Sequence, residues 1–310
     1  MNRRDFILNT GKAGLVLATA GFPWSKSLAA SNEFGQLTIL HTNDTHSRID
    51  PFPSDHPRHP GAGGVLGRLQ LLKKIRSEVK HHLLFDAGDI FQGTPYFNLF
   101  EGEIEMKSMT ALGYDAATIG NHDFDAGVDG LAKQMKHADF PLLNCNYLLE
   151  DTLLAGLVEE YRIFKRGGLR IGVTGVGIEL EGLVGPEYYK GVVVRNAVKN
   201  VNRVARHLKK EQNCHLVVLL SHLGHQYRSE KISDRALAPL TSDVDVIIGG
   251  HTHTFLEKPE VVKNRNDQPV LINQVGWGGL VLGRLDLTFE RSTKKLCYYC
   301  RNEYVTLPDL

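Results

Sequence analysis

Apolar residues in this chain fall mainly in short runs of a few positions, and many of these runs are rich in β-branched side chains. Runs this short are typical of buried strands, since a helix needs a longer apolar stripe to reach the core. We therefore predict strands at seven places, residues 37–40, 83–85, 116–119, 171–176, 216–220, 244–248 and 270–272.

Segments with helical spacing lie between several of these runs. Leu66, Leu69, Leu72 and Ile75 recur among polar and basic residues, and residues 198–209 read in the same way. Strands that alternate with helices predict an α/β layered fold.

The C-terminal part changes character after the last of these runs. Residues 283–289 alternate with period two, and residues 296–305 also read as strand. No linker rich in Pro, Gly or Ser precedes them, and we find no internal repeat. We expect residues 31–310 to form one domain with a β-rich closing section.

The N-terminus reads as an export signal. Arg3 and Arg4 precede Phe6 and a mildly apolar stretch, residues 7–22, which is interrupted by polar positions and is too short to anchor the chain in a bilayer. The paired arginines resemble a twin-arginine signal. We predict residues 1–30 to be a signal peptide and the protein to be periplasmic or secreted without a stable membrane anchor; the alternative is a basic N-terminus of a cytosolic protein.

Composition and charge narrow the class of partner. The chain has 310 residues, 42% hydrophobic and 23% charged, with a formal net charge of +1. This is the composition of a globular protein. No basic run could follow a nucleic-acid backbone, so we expect no nucleic-acid partner.

The four cysteines do not indicate a structural zinc site. Cys297 and Cys300 have the right spacing for one half of such a site, but a second Cys or His pair is missing. We interpret the cysteines as packing residues and leave open a disulfide involving Cys297 and Cys300.

Five of the predicted strands end directly in polar residues of metal-ligand types. Because loops at the carboxyl ends of parallel strands share one edge of a sheet, these clusters should converge. The alternative is surface loops that happen to be rich in His and Asp. The clusters begin at His41-Thr-Asn-Asp-Thr-His, Asp86-Ala-Gly-Asp, Gly120-Asn-His-Asp, Ser221-His-Leu-Gly-His and Gly249-Gly-His-Thr-His.

The ligand types indicate a hydrolytic metal site. Carboxylates, imidazoles and one amide without a thiolate suit Mn, Zn, Fe, Co or Ni. Seven ligands exceed what one ion in an open site takes, so we predict two divalent ions about 3.5 to 4 Å apart with one bridging carboxylate. The predicted ligands are Asp44, His46, Asp89, Asn121, His222, His251 and His253.

In this order, the clusters resemble the five motif blocks of calcineurin-like metallophosphoesterases. The words Leu-His-Thr-Asn-Asp-Thr-His and Gly-Asn-His-Asp-Phe-Asp are similar to the secreted 5′-nucleotidase branch, and the resemblance covers about residues 36–290. It implies a layered α-β-β-α sandwich with the dimetal site at the carboxyl ends of the strands.

The resemblance also implies a role for each site residue. One ion would be held by Asp44, His46 and His253, the other by Asn121, His222 and His251, with Asp89 bridging them. His122 would protonate the leaving oxygen and Asp125 would orient it. A metal-bridging hydroxide would attack phosphorus in line.

The implied activity is hydrolysis of phosphomonoesters, with 5′-nucleotides, nucleotide sugars or cyclic nucleotides as the substrate class, in nucleotide catabolism. Longer members of this branch carry a C-terminal domain that binds the nucleoside, whereas this sequence ends at Leu310. We therefore expect a separate polypeptide to supply that domain. Two alternatives are a sulfur-ester thiohydrolase of the same branch and a non-catalytic partner-binding module.

Overall fold

The structure, a computed structural model, describes residues 33–306, so the predicted signal peptide lies outside the described residues. The strands of the two main sheets are β1 Phe34–Thr42, β2 His82–Asp86, β3 Ala116–Ala117, β4 Leu142–Leu143, β6 Val158–Glu159, β7 Tyr161–Arg166, β8 Leu169–Val176, β10 Leu216–Ser221, β11 Val246–Gly249, β12 Glu260–Lys263, β13 Pro269–Asn273, β14 Val281–Glu290, β15 Lys295–Cys300 and β16 Glu303–Tyr304. Two further short strands, β5 Tyr147–Leu148 and β9 Val193–Val194, pair with each other.

The helices connect strands or follow them. They are α1 Val65–Glu78, α2 Pro95–Phe100, α3 Glu103–Leu112, α4 Gly127–Gln134, α5 Ala197–Arg206 and α6 Asp234–Leu237, with 3₁₀ turns at His122–Phe124, Met135–His137 and Ala238–Leu240 and a π turn at His207–Glu211. Within residues 33–306, no helix has the length and apolar character needed to cross a membrane.

The first sheet has the order β15-β14-β1-β2-β3-β4-β6, and β16 also pairs with β14. In this sheet β1, β2, β3, β4 and β6 run parallel. Strand β14 pairs antiparallel with β1, where Phe34 lies opposite Glu290 and His41 lies opposite Gly283. The C-terminal segment therefore pairs with β1, the first strand of the described chain, within the first sheet.

The second sheet has the order β12-β13-β11-β10-β8-β7. Its four central strands run parallel, and the two edge strands β7 and β12 are antiparallel to their neighbours. Parallel central strands are buried on both faces, which explains the nearly continuous apolar runs along β10 and β11.

The core lies in three layers of side chains. Leu37, Ile39 and Leu285 of the first sheet pack against Val173 and Val218 of the second, so the two sheets face each other. One further cluster joins the first sheet to α1, α3 and α4, and another joins the second sheet to α5. The molecule is thus an α-β-β-α sandwich, and the predicted fold class is confirmed.

All seven apolar runs predicted as strands contribute to strands of the structure. One prediction about their arrangement was wrong. The five polar clusters were expected along one edge of one sheet, but three of them follow β1, β2 and β3 of the first sheet and two follow β10 and β11 of the second. They still converge, because the facing sheets present the carboxyl ends of these strands on the same side.

Cys297 and Cys300 are free thiols. Both lie on β15, three positions apart, and alternate residues of a strand point to opposite faces. The disulfide between them that the spacing left open is therefore not formed.

Candidate metal centre

The loops after five strands bring the seven predicted ligands together. Asp44 and His46 follow β1, Asp89 follows β2, Asn121 follows β3, His222 follows β10, and His251 and His253 follow β11. Backbone hydrogen bonds tie neighbouring loops, as the amide of Asp44 donates to the carbonyl of Gly88 and that of His46 to the carbonyl of Asp89. The loops therefore hold one another at the edge of the two sheets.

Asp44, His46 and His253 form a first group whose candidate ligand atoms all lie within 4.8 Å of one another. His253 Nε2 is 3.4 Å from Asp44 Oδ1 and 3.1 Å from His46 Nε2. His46 Nδ1 donates a hydrogen bond to the Phe91 carbonyl oxygen at 3.3 Å, which leaves the Nε2 atom of the neutral ring directed at the group.

Asp89, His222 and His251 form a second group within the same limit. His222 Nε2 lies 3.1 Å from Asp89 Oδ2, and Asn121 Oδ1 lies 2.8 Å from His251 Nδ1. The amide oxygen of Asn121 therefore lies beside this group, as a fourth candidate metal ligand.

Asp89 stands between the two groups. Its Oδ2 atom is 3.1 Å from His222 Nε2 and 3.8 Å from His46 Nε2, and its Oδ1 accepts a hydrogen bond of 2.8 Å from the His122 amide. One carboxylate oxygen thus faces both groups, which is the geometry that a bridging ligand needs.

The buried state of His222 fits a metal site. Its Nδ1 donates to the Ala87 carbonyl at 2.7 Å, so Nε2 is the ring atom that faces the carboxylate of Asp89, at 3.1 Å. That buried Nε2 has no hydrogen-bond partner in the described part of the chain. An imidazole lone pair and a carboxylate oxygen facing each other in the interior repel unless a proton or a metal ion lies between them, and this pair of donors suits a divalent ion.

The electrostatic field of the site attracts cations. Burial by itself would lower the pKa of His222, but the carboxylates of Asp89 and Asp44 raise it to about 10. A divalent ion competes with that proton for the same lone pair. Burial, with a contribution from His222, lowers the pKa of His251 to about 4, so this ring is neutral and free to act as a ligand at neutral pH.

The backbone at the predicted ligands is strained. Asp44, His46, Asp89, His251 and His253 have φ between 47° and 72°, in the left-handed region that non-glycine residues rarely adopt. Each such residue costs about 1 kcal/mol or more. Strain of this kind collects at functional sites, where the surrounding contacts impose it.

His122 and Asp125 lie beside the two groups. His122 Nδ1 donates to Asp125 Oδ2 at 2.8 Å, and the His122 ring is 5.4 Å from that of His46. The hydrogen bond to Asp125 and the nearby Asp89 raise the pKa of His122 against the effect of burial. The ring therefore lies next to the candidate metal centre with its protonated form stabilised by Asp125.

A model of the family described as calcineurin-like phosphoesterase matches residues 37–255, which is more than half of the chain. The chain belongs to the calcineurin-like phosphoesterase family. The predicted family is thus confirmed, and the spacing of the polar clusters was its signal.

Several relatives are 5′-nucleotidases. The snake venom 5′-nucleotidase of Gloydius brevicauda is 32% identical over 297 residues, which cover 89% of this chain and 49% of that protein. The 5′-nucleotidase of Vibrio cholerae is 32% identical over 289 residues, covering 85% and 51%. The solved 5′-nucleotidase precursor from Thermus thermophilus superposes with a TM-score of 0.77 at 32% identity, covering 87% of this chain and 55% of that one.

The chain thus spans about half the length of the curated relatives it matches. Those relatives are longer, so about half of each lies beyond the part that this calcineurin-like phosphoesterase shares. That a separate polypeptide supplies such a domain here stays a prediction, as do the individual ligand and acid assignments.

Sequence reasoning missed two buried carboxylates that support the centre of this phosphoesterase. Asp123 accepts hydrogen bonds from the amides of Gly120, Asp89 and Ile90 at 2.7, 3.1 and 2.8 Å, and burial and Asp89 raise its pKa to about 7. Asp86 accepts from the Gly88 amide at 2.9 Å. Both stand inside the motif words, but the words do not distinguish a ligand from a residue that holds a loop.

His225, the last residue of the cluster that follows β10, makes hydrogen bonds to neighbouring elements. Its Nε2 lies 2.9 Å from Glu260 Oε2, and its amide donates to Thr252 Oγ1 at 2.9 Å. His225 thus connects the loop after β10 to β12 and to the loop of His251 and His253.

Proposed function

We propose that this chain is a two-metal phosphoesterase that hydrolyses phosphomonoesters of the 5′-nucleotide class. The observation that carries the proposal is the His122–Asp125 pair, held at 2.8 Å beside two ligand groups that share Asp89. A proton donor beside a two-metal donor set supports ester hydrolysis, in which a leaving oxygen must be protonated. The 5′-nucleotidase relatives support the substrate class.

The proposed reaction assigns roles to the metal ions, to His122 and to Asp125. Two divalent ions, when bound, lower the pKa of the attacking water and neutralise charge on the phosphate. His122 Nδ1 is occupied by Asp125, so Nε2 is the atom that carries a proton to the leaving oxygen as the phosphorus–oxygen bond breaks. Asp125 holds the ring in that orientation and stabilises its protonated form.

The first experiment measures metal content and phosphate release on the same preparation. The substrates are AMP, a nucleotide sugar, a 2′,3′-cyclic nucleotide and p-nitrophenyl phosphate, with an S-sulfonate to test thiohydrolase activity. We expect two ions per chain and phosphate release from AMP. A chain without bound metal and without turnover would point to a binding module, and turnover of the S-sulfonate alone to the thiohydrolase.

The substitution His122→Ala tests the acid directly. We expect kcat for AMP to fall by about 10² to 10⁴ with metal content unchanged, because general acid catalysis contributes this much. The loss should be smaller with p-nitrophenyl phosphate, whose leaving group needs little protonation. His137→Ala, in a 3₁₀ turn remote from the motif clusters, is the matched control. An equal loss on both esters would contradict the acid role.

We further propose that the protein acts in the periplasm or outside the cell, after export through the arginine pair Arg3 and Arg4. Replacement of both by Lys keeps the charge and removes the feature that twin-arginine signals share. Cell fractionation should then find the protein in the cytoplasm instead of the periplasm. Unchanged export of the double variant would argue against this route.

A further inference from the structure

His253 is held differently from the other histidines of the candidate centre. Its side chain is 39% exposed, against 9% for His46 and 0% for His222. Both of those rings donate from Nδ1 to a backbone carbonyl. The His253 ring contacts Asp44 Oδ1 and His46 Nε2 through its Nε2 atom, and within residues 33–306 no backbone carbonyl accepts a hydrogen bond from its Nδ1.

Trp277 has a stacking contact with the His253 ring. Its ring lies almost parallel to the ring of His253, with centroids 5.8 Å apart and an angle of 12° between the planes. Phe52 contacts Trp277 edge-on at 5.4 Å and 82°. The indole ring of Trp277 therefore stacks with His253 and packs against Phe52.

The backbone that carries Trp277 is tied to the first ligand loop. Asn43 Oδ1 accepts from the Val275 amide at 2.9 Å, and Asn43 Nδ2 donates to the Gly276 carbonyl at 2.6 Å. The Gly278 amide donates to the carbonyl of Asp44 at 2.7 Å. Hydrogen bonds on both sides of Trp277 thus fix its distance from the loop of Asp44.

The close approach of this turn to the second ligand loop depends on glycine. Gly276 has φ of 77°, and a Cβ atom there would lie 2.1 Å from the Phe255 ring. The Gly276 amide also donates to the Thr254 carbonyl at 2.9 Å. The turn is therefore fixed to Asn43 and Asp44 on one side and to the residues that follow His253 on the other.

We propose that Trp277 is a positioning residue of the metal centre, which holds His253 by stacking and thereby sets the affinity of the ion bound by Asp44, His46 and His253. An imidazole that shares its lone pair with a divalent ion becomes electron-poor, and an indole face attracts positive charge more strongly than other aromatic faces. The stack is thus stronger with the ion bound than without it, which raises ion affinity. The inference rests on the two-metal site of the proposed function.

The chain offers a spectroscopic test, because Trp24 and Trp277 are its only tryptophans. In the full chain with Trp24→Phe, tryptophan emission comes from Trp277 alone. After metal removal with a chelator, we expect Mn²⁺ to quench this emission and the quenching to follow the binding of one of two ions. Free Mn²⁺ is counted in parallel by electron paramagnetic resonance.

Two substitutions in the same background separate stacking from bulk. Trp277→Leu keeps apolar volume without a ring, and we expect one of the two Mn²⁺ ions to bind about tenfold more weakly, the size of one aromatic contact with a cationic group. Trp277→Phe keeps a ring and should recover most of the affinity. The second ion and the melting temperature of the metal-free chain should change little.

If Trp277→Leu binds both ions with the same affinities as the parent, the positioning role of Trp277 is overturned, and the two-metal function is not. An equal weakening of both ions, together with a lower melting temperature of the metal-free chain, would show a general packing role and would also overturn it. A parent chain that binds no Mn²⁺ would overturn the two-metal function and this inference with it. Because the experiment measures Mn²⁺ binding without substrate, its outcome does not depend on whether the chain hydrolyses nucleotides.

Discussion

At the scale of single residues, the contact between His122 and Asp125 is the basis of the proposed acid catalysis. Both side chains are partly exposed, and the hydrogen bond of 2.8 Å is the largest cause of the raised pKa of His122. A partly exposed pair of this kind contributes little to stability, since solvent screens it. Its effect is expected in catalysis instead.

The substitution Asp125→Asn removes the charge and keeps the size of the side chain. We expect kcat for AMP to fall about 10- to 100-fold with KM little changed, as is usual when a residue that orients a catalytic histidine is lost. The loss should be smaller for p-nitrophenyl phosphate. Steady-state kinetics on both esters measure it, with Asp129→Asn at an exposed position of α4 as control. A loss confined to KM would contradict the orienting role.

At the scale of elements, β1 connects the two sheets through a buried histidine. His41 is fully buried, and Asn273 of β13 donates to its Nε2 at 2.9 Å. The proton of the neutral ring therefore sits on Nδ1, which has no hydrogen-bond partner in residues 33–306. Burial lowers the pKa of His41 to about 3.

This burial predicts acid sensitivity. In the unfolded chain His41 titrates near its ordinary value of 6.5, so protons favour the unfolded state as the pH falls below that value. The free energy of unfolding of the metal-free chain should therefore fall by up to about 1.4 kcal/mol per pH unit from this group between pH 6.5 and 3. Above pH 6.5 the ring is neutral in both the folded and the unfolded chain, so this group causes no loss of stability there.

Urea unfolding at several pH values measures the slope. His41→Gln keeps a polar side chain without a titrating ring. Below pH 6.5 the slope of its free energy of unfolding against pH should correspond to about one proton fewer taken up on unfolding. His207→Gln, at the start of the π turn after α5, is the control and should keep the slope of the parent. An identical slope in His41→Gln and the parent would contradict the assignment.

At the scale of the whole molecule, the candidate centre links two sheets. Asp44, His46 and Asp89 come from loops of the first sheet, and His222 and His251 from loops of the second. The amide of His251 also donates to Asp44 at 2.9 Å across this junction. Ions held here would bind the folded chain and not the unfolded one, since the donors are distant in sequence.

Metal removal is therefore expected to destabilise the fold. With free ion at 100 times its dissociation constant, one site contributes about 2.7 kcal/mol, so chelation should lower the melting temperature by several degrees and added ion should restore it. Scanning calorimetry measures the change. His222→Ala should lose most of the response to added ion; equal melting temperatures with and without bound ions in the parent would contradict the link between the sheets.

The sequence predicted much of this molecule because local pattern carries strong signals. Short apolar runs marked every central strand of the second sheet, and polar clusters after Leu40, Phe85 and Ile248 marked loops of the site. Such signals need only a few neighbouring residues, and buried parallel strands require uniform apolar runs.

What local pattern could not predict depends on residues far apart in the chain. Neighbouring residues give no signal for the stack of Trp277 on His253 or for the hydrogen bond that Asp123 accepts from the Asp89 amide. They also give no signal for the distribution of the clusters over two sheets. Contacts of this kind follow from how the sheets pack, which depends on the whole set of core side chains.

By itself, the sequence determined the layered α/β class, the family and the set of residues that could ligate metal, because periodicity and motif spacing are local properties. Only the tertiary structure decided which of them meet. It brings Asp44 and His251, 207 positions apart, into hydrogen-bond contact and turns the Nε2 atom of His222 towards Asp89. The physical reason is that two sheets packed face to face present the ends of their strands at one edge, so distant loops share a single site.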